Sequence, residues 1–185
     1  MRTTDRLLLR PFRDEDLPAW AELNTDPKVM RYLGGKPLSQ AETDEIASGV
    51  NRQYLAEGTG FLAIERRSDG AFLGAGGLTH EVWHPDDLEL GWRLAREYWG
   101  HGYATEAAAA WLAYAFFDLN LPHVLASTET ANTKSIAVMQ RIGMSFDHEA
   151  RLEEDGEAFD AVVYSITQEA WRGSHGGPDG SGSGG

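Results

Sequence analysis

Residues 88–111, LELGWRLAREYWGHGYATEAAAAW, constrain this chain more than any other stretch. Residues 88–94 read as a strand, and a loop with Gly100 and Gly102 then opens directly into a helix expected over about 103–118. Glycines let backbone approach a ligand closely. A helix start adds unpaired N–H groups and a partial positive charge. Together they make a site for an anion such as a pyrophosphate. Ala104, Ala107, Ala108 and Ala115 keep that helix thin enough to pack tightly on a sheet. A Gly-x-Gly by itself also marks an ordinary helix entry, so neighbouring motifs decide. No Gly-x-x-x-x-Gly-Lys-Ser/Thr run exists, which removes the P-loop. Thr105 stands where a dinucleotide fingerprint needs its third glycine.

Before this segment, residues 6–11 are a short apolar strand closed by proline, and Asp14 opens an amphipathic helix. Residues 29–33 form a second helical piece ended by Gly34-Gly35. Ser39 with Glu42 is a capping box for a helix reaching about Ala56. Residues 61–65 and 71–74 form a hairpin about Ser68-Asp69-Gly70, extended through Gly77-Leu78. After the segment come a strand at 124–128, a helix over 132–142 and strands at 144–146 and 159–166, joined through Glu153-Glu154-Asp155-Gly156. Strands mixed with single crossovers give an α+β domain on a mixed sheet.

The 185 residues suit one domain with one core, taken as 1–172. The Gly/Ser-rich stretch 173–185 reads as a flexible tail. A formal net charge of −13 disfavours nonspecific nucleic-acid binding, which needs cationic contacts to phosphate. No apolar run approaches the ~20 residues that span a bilayer, and no apolar core of a signal peptide follows Met1. The expected partners therefore exclude nucleic acid and membrane, and the expected location is cytoplasmic. There is no cysteine, hence no disulfide, no thiolate metal site and no cysteine to carry an acyl group. The six histidines are dispersed, with His80 and His84 flanking a loop, so no metal site is expected. Monomer and homodimer both remain open.

The run Trp99-Gly-His-Gly-Tyr-Ala104 resembles the acetyl-CoA loop of the GNAT superfamily, usually Gln/Arg-x-x-Gly-x-Gly/Ala. The longer string 98–107, YWGHGYATEA, is similar to the RimJ/RimL branch in particular. NTKSIAVMQRIG at 132–143 resembles that branch's Asn-x-x-Ser helix ending in glycine, and the segments 6–11 and 29–34 are similar too. The resemblance runs from about Thr4 to Trp171. It implies a GNAT fold: a mixed, mostly antiparallel central sheet of about seven strands flanked by about four helices. It also implies an N-acetyltransferase moving an acetyl group from acetyl-CoA to a primary amine, in this branch a protein or peptide N-terminal α-amine, by direct attack in a ternary complex. A small-molecule amine (polyamine, antibiotic or amino acid) is the alternative acceptor, and a non-catalytic acyl-CoA sensor the alternative class.

Carried over by position, the backbone of Trp92, Arg93 and Leu94 is implied to hold the pantetheine arm and thioester carbonyl. Trp99, Gly100, His101, Gly102, Tyr103 and Ala104 are implied to cradle the pyrophosphate. Asn132 matches a residue that bonds the pantetheine arm and serves equally as a helix cap. Ser135 matches a serine near the coenzyme sulfur that assists thiolate departure. Glu89 on the strand and Glu154 in the acidic turn are the candidate bases, and each reads equally as a surface carboxylate. Glu106 suits the first turn of its helix. Two departures stand out: Trp99 where Gln or Arg is usual, and Met139 where many relatives place a tyrosine acid.

Overall fold

A computed structural model describes residues 1–154 and 156–175, with the side chains of Glu154 and His175 outside the described set. The chain opens with β1 (Arg2–Thr3) and β2 (Leu7–Arg10). A short 3-10 turn, Asp14–Asp16, leads into α1 (Leu17–Thr25), followed by α2 (Pro27–Met30) and α3 (Gln40–Glu57). Then come β3 (Gly60–Arg66), β4 (Phe72–Glu81) and β5 (His84–Leu94). After a second 3-10 turn, Arg96–Tyr98, lie α4 (Tyr103–Phe117), β6 (His123–Glu129) and α5 (Thr133–Arg141). The chain closes with β7 (Ser145–Glu154), β8 (Glu157–Thr167) and α6 (Gln168–His175).

The local signals act as their chemistry requires. Ser39 accepts from the Glu42 N–H, and the Glu42 carboxylate accepts in return from the Ser39 N–H at 2.7 Å, so α3 starts on the expected capping box. Gly58 ends it in the left-handed conformation with φ 74°. His80 and His84 flank only the two-residue link Val82–Trp83, so β5 begins four residues before the expected strand. Helix α6 was not expected, and it takes in Gly173, Ser174 and His175, the first residues of the assigned tail. Residues 176–185 lie outside the described set.

All eight strands form one sheet in the order β1-β2-β3-β4-β5-β6-β8-β7. Every neighbouring pair is antiparallel except β5 and β6. These two pair in parallel at one register position, Glu89 opposite Leu125, and then part. The parting lies at their carboxyl ends, where the loop after β5 and the start of α5 meet the gap.

The sheet is covered on both faces. Leu62 and Ile64 of β3 join Trp111, Leu112, Ala115 and Phe116 of α4 and Val138 and Met139 of α5. Ala63, one residue out of phase, joins Phe12, Trp20, Leu23, Val29 and Ala47 on the side of α1–α3. Trp111 and Phe116 have no exposed surface, and side chains of that size contribute about 3–5 kcal/mol each against alanine. Met139 is buried with Ile142 and Met144. The position where many relatives carry a tyrosine acid is therefore a packing position in this chain.

Candidate active site

At the parting of β5 and β6 the backbone ladder is replaced by a side chain. Glu89, 6% exposed, inserts its carboxylate between the strands. Its Oε1 accepts from the Ser127 N–H at 2.9 Å and from the Ser127 hydroxyl. Its Oε2 accepts from the Trp83 indole N–H at 2.9 Å, and that indole packs edge-on against Phe159. Three donors occupy the carboxylate, which leaves one of its roughly four acceptor positions open.

Beyond Glu89 the orientation of β5 follows from its neighbours. The carbonyls of Gly91 and Arg93 face β4: a Cβ built on Gly76 or Gly74 would come within 3.0 and 2.1 Å of them. Successive peptide groups of a strand alternate sides, so those of Trp92 and Leu94 face the gap. The Trp99 indole N–H takes the Leu94 carbonyl at 2.8 Å, leaving the Leu94 N–H. Arg93, carried over with these two as a backbone contact, turns its peptide away. Its guanidinium donates to Asn24 Oδ1 at 2.5 Å and lies over the Trp20 ring.

The loop after β5 has the predicted form. Gly100 and Gly102 both sit at φ 80°, which L side chains adopt at a cost of roughly 1–2 kcal/mol. Gly102 is the residue before α4 and has no side chain to cap it. Nothing lies within 4 Å of a Cβ at Gly100. Among the described residues, the N–H groups of Gly100, His101, Gly102, Tyr103 and Ala104 have no backbone acceptor outside regular structure. They form a run of donors at a helix start, as an anion cradle requires. His101 is exposed and stacks on Tyr103 at 5.8 Å between ring centres. Glu106 does more than stabilise the first turn. It accepts from the Thr4 hydroxyl at 2.5 Å, the Arg6 N–H at 2.9 Å and Arg6 Nε at 2.6 Å. Burial alone would raise its pKa, but these hydrogen bonds outweigh it and hold the carboxyl below its usual range. A depressed acid contributes stability above its unfolded pKa of ~4.3 and loses it as pH falls through the lower folded value, so this tie is intact at neutral pH.

Across the gap, Asn132 precedes α5. Its Oδ1 accepts from the Ser135 N–H at 3.3 Å, the helix cap. Its Nδ2 donates to Thr128 Oγ1 at 2.9 Å and to Ser135 Oγ at 3.1 Å. Both amide hydrogens are thus used, and the Ser135 hydroxyl keeps its own proton to donate. Lys134, which carries no signal in the sequence, places its ammonium 4.5 Å from the centre of the Trp99 ring. It bridges the two arms of the gap. Unlike Arg6 with Glu106 and Arg96 with Asp26, it has no carboxylate partner among the described residues. Glu154, the other candidate base, ends β7, and its side chain lies outside the described residues.

The acetyltransferase (GNAT) domain model matches residues 6–145. The chain is a GNAT acetyltransferase. It is similar to the uncharacterized N-acetyltransferase YnaD of Bacillus subtilis (strain 168), 30% identical over 171 residues, 91% of this chain and 98% of that protein. It is similar to the FsC-acetyl coenzyme A-N(2)-transacetylase of Aspergillus fumigatus, 30% identical over 184 residues, 91% of this chain and 76% of that protein. Among solved structures, an acetyltransferase from Agrobacterium tumefaciens str. C58 superposes with a TM-score of 0.75 at 33% identity, covering 89% of this chain and 92% of that one. The GNAT acetyltransferase described here is thus an acetyl-CoA-dependent acyltransferase built on a mixed sheet that parts between β5 and β6. The free N–H run at 100–104 fits the coenzyme's pyrophosphate. No helix among the described residues is long and apolar enough to cross a membrane.

Proposed function

We propose that this GNAT acetyltransferase moves the acetyl group of acetyl-CoA to the N-terminal α-amine of a peptide or protein, in the manner of the RimJ/RimL branch. The observation that carries this reading is Glu89, a carboxylate at the crotch of the gap with three acceptor positions filled and one open. Such a group accepts one N–H of an incoming amine and orients its lone pair. That is sufficient for an α-amine, whose pKa of ~7.7–8.0 leaves part of it neutral near pH 7; a lysine-like amine at ~10.4 needs a stronger pull.

Acetyl-CoA, when bound, supplies an activated acetyl thioester. The N–H groups of residues 100–104 hold its pyrophosphate, and those of Trp92 and Leu94 meet its arm and acetyl carbonyl. Glu89 orients the amine, the C–N bond forms and the C–S bond breaks. Ser135 gives its proton to the departing thiolate and regains one from water, while the amine's surplus proton leaves through Glu89 to solvent. The net charge of −13 draws cationic acceptors to the surface.

A second reading, a small-molecule amine acceptor, is favoured by the names of full-length relatives. One is the FsC transacetylase above. Another is the spermidine N(1)-acetyltransferase of Escherichia coli (strain K12), 27% identical over 184 residues, 95% of this chain and 93% of that protein. Thiol release from acetyl-CoA separates the two. Turnover with short peptides bearing free N-termini, and little with polyamines and aminoglycosides, is expected. The reverse preference overturns the α-amine reading in favour of the second.

Lys134 enters this reading as a phosphate contact. An exposed ammonium on an indole is held by only ~0.5–1 kcal/mol, so a phosphate of the bound donor draws it off Trp99. Lys134→Met is expected to raise the KM for acetyl-CoA about 5- to 10-fold, with kcat within twofold. Lys134→Arg is expected to restore most of the affinity. Steady-state kinetics at low and high salt check this, because the difference between lysine and methionine should shrink as salt rises.

A further inference from the structure

We propose that Arg6, which lies behind the glycine loop, is a positioning residue for the pyrophosphate cradle. It fixes the peptide between His101 and Gly102 so that the Gly102 N–H faces the donor. The inference rests on the reading that residues 100–104 hold the pyrophosphate of acetyl-CoA.

The loop is soft by composition. His101 has glycine on either side, and both glycines sit at φ 80°, where glycine has easy access to other conformations. Nothing in the loop's own sequence decides which way the 101–102 peptide points. Arg6 decides it. Its Nη1 donates to the His101 carbonyl at 3.0 Å. A trans peptide is planar, with its C=O and the following N–H opposed, and no peptide bond among the described residues is cis. Holding the His101 carbonyl towards Arg6 therefore turns the Gly102 N–H to the opposite side, where no backbone group among the described residues accepts it.

Arg6 is in turn anchored. Its Nε meets Glu106 Oε2 at 2.6 Å, its backbone N–H meets Glu106 Oε1 at 2.9 Å, and its guanidinium carbon lies 4.7 Å from the centre of the Tyr103 ring. Glu106 stands on the first turns of α4, so the loop is referenced to the helix whose N-terminus completes the cradle. A guanidinium can bond a carboxylate and a carbonyl at once from a rigid fork; an ammonium lacks that geometry. The bland alternative is that Arg6 only fastens the N-terminal segment to α4, in which case its loss would affect all donors alike.

Donors with and without a pyrophosphate separate these roles. The probes are acetyl-CoA and S-acetyl-pantetheine, tested on the full chain with saturating amine. Arg6→Met is expected to raise the KM for acetyl-CoA about tenfold, with kcat within twofold, and to leave kcat/KM for S-acetyl-pantetheine unchanged. Arg6→Lys is expected to recover less than half of the loss. Glu106→Gln, which keeps Arg6 but frees its Nε, shifts the same constant in the same direction by a smaller factor and serves if Arg6→Met fails to fold. An equal loss on both donors, or none on either, overturns the proposal. Should the unmodified protein use both donors equally well, the cradle reading itself falls. Should it prefer acetyl-CoA and Arg6→Met preserve that preference, only the role of Arg6 falls.

Discussion

Arg10→Met is expected to cost about 3–5 kcal/mol of folding free energy, the range for breaking a buried ion pair by removing one partner. The Arg10 side chain is 3% exposed and that of Asp16 likewise. Nη1 and Nη2 meet the two Asp16 oxygens at 2.6 and 2.8 Å, and Nε meets Glu65 Oε2 at 2.6 Å. Asp16 also accepts from the Arg13 N–H at 2.7 Å, which fixes the entry to α1. These bonds push the Arg10 pKa further above its already high value despite burial, so no accessible pH discharges it. Methionine matches the length and leaves Asp16 charged and unpaired in a site that excludes water. Urea denaturation should show the loss as a lower midpoint with an unchanged slope. The triple replacement Arg10→Met, Asp16→Leu, Glu65→Met should recover much of it, because no charge is then stranded. A single-variant loss below 1 kcal/mol would mean that water reaches the site.

Glu89→Gln is expected to lower kcat/KM for the amine about 100-fold, at the lower end of what a positioned acid–base group contributes, with the KM for acetyl-CoA within threefold. The substitution keeps volume and removes charge. The single amide oxygen can replace only one carboxylate oxygen, so the new NH2 faces a donor: the Trp83 indole N–H if the oxygen keeps Ser127, or the Ser127 N–H if it keeps Trp83. A stability loss of about 1–3 kcal/mol therefore accompanies it. The two effects separate in saturating acetyl-CoA below the melting temperature. If the amine kcat/KM of the folded variant equals that of the parent, Glu89 is a strap joining β5 to β6 and not part of the chemistry.

How far the sequence reaches depends on how local the physics is. The Ser39/Glu42 box, the Gly100 and Gly102 turn and the Asn132 cap each act within three or four residues, and each was readable. Helix α6 escaped because distant partners hold it. Gln168 Nε2 bonds the Phe116 carbonyl at 2.7 Å, and Trp171 packs on Phe116 at 6.1 Å between ring centres. The same holds at the site. Glu89 could be named as a carboxylate near the loop, but its donors Ser127 and Trp83 became visible only once β5 and β6 were seen to part. Arg93 was grouped with Trp92 and Leu94, although strand alternation alone excludes three consecutive residues from one edge. Arg6 reads in the sequence only as part of the strand at 6–11, because its contact with His101 spans 95 residues. Lys134 carried no signal, because a lone lysine on a helix is ordinary until the ring beneath it is known.

The central claim is that the amine attacks the donor directly, with both held in one cleft. Initial rates over a grid of acetyl-CoA and amine concentrations, with the best acceptor from the two pools, test it most directly. Reciprocal plots that intersect are predicted, since both reactants must be bound before the first product leaves. Parallel lines, joined by a protein species 42 Da heavier after incubation with acetyl-CoA alone, as an acetyl group replacing one hydrogen requires, would show an acyl-enzyme and contradict the account.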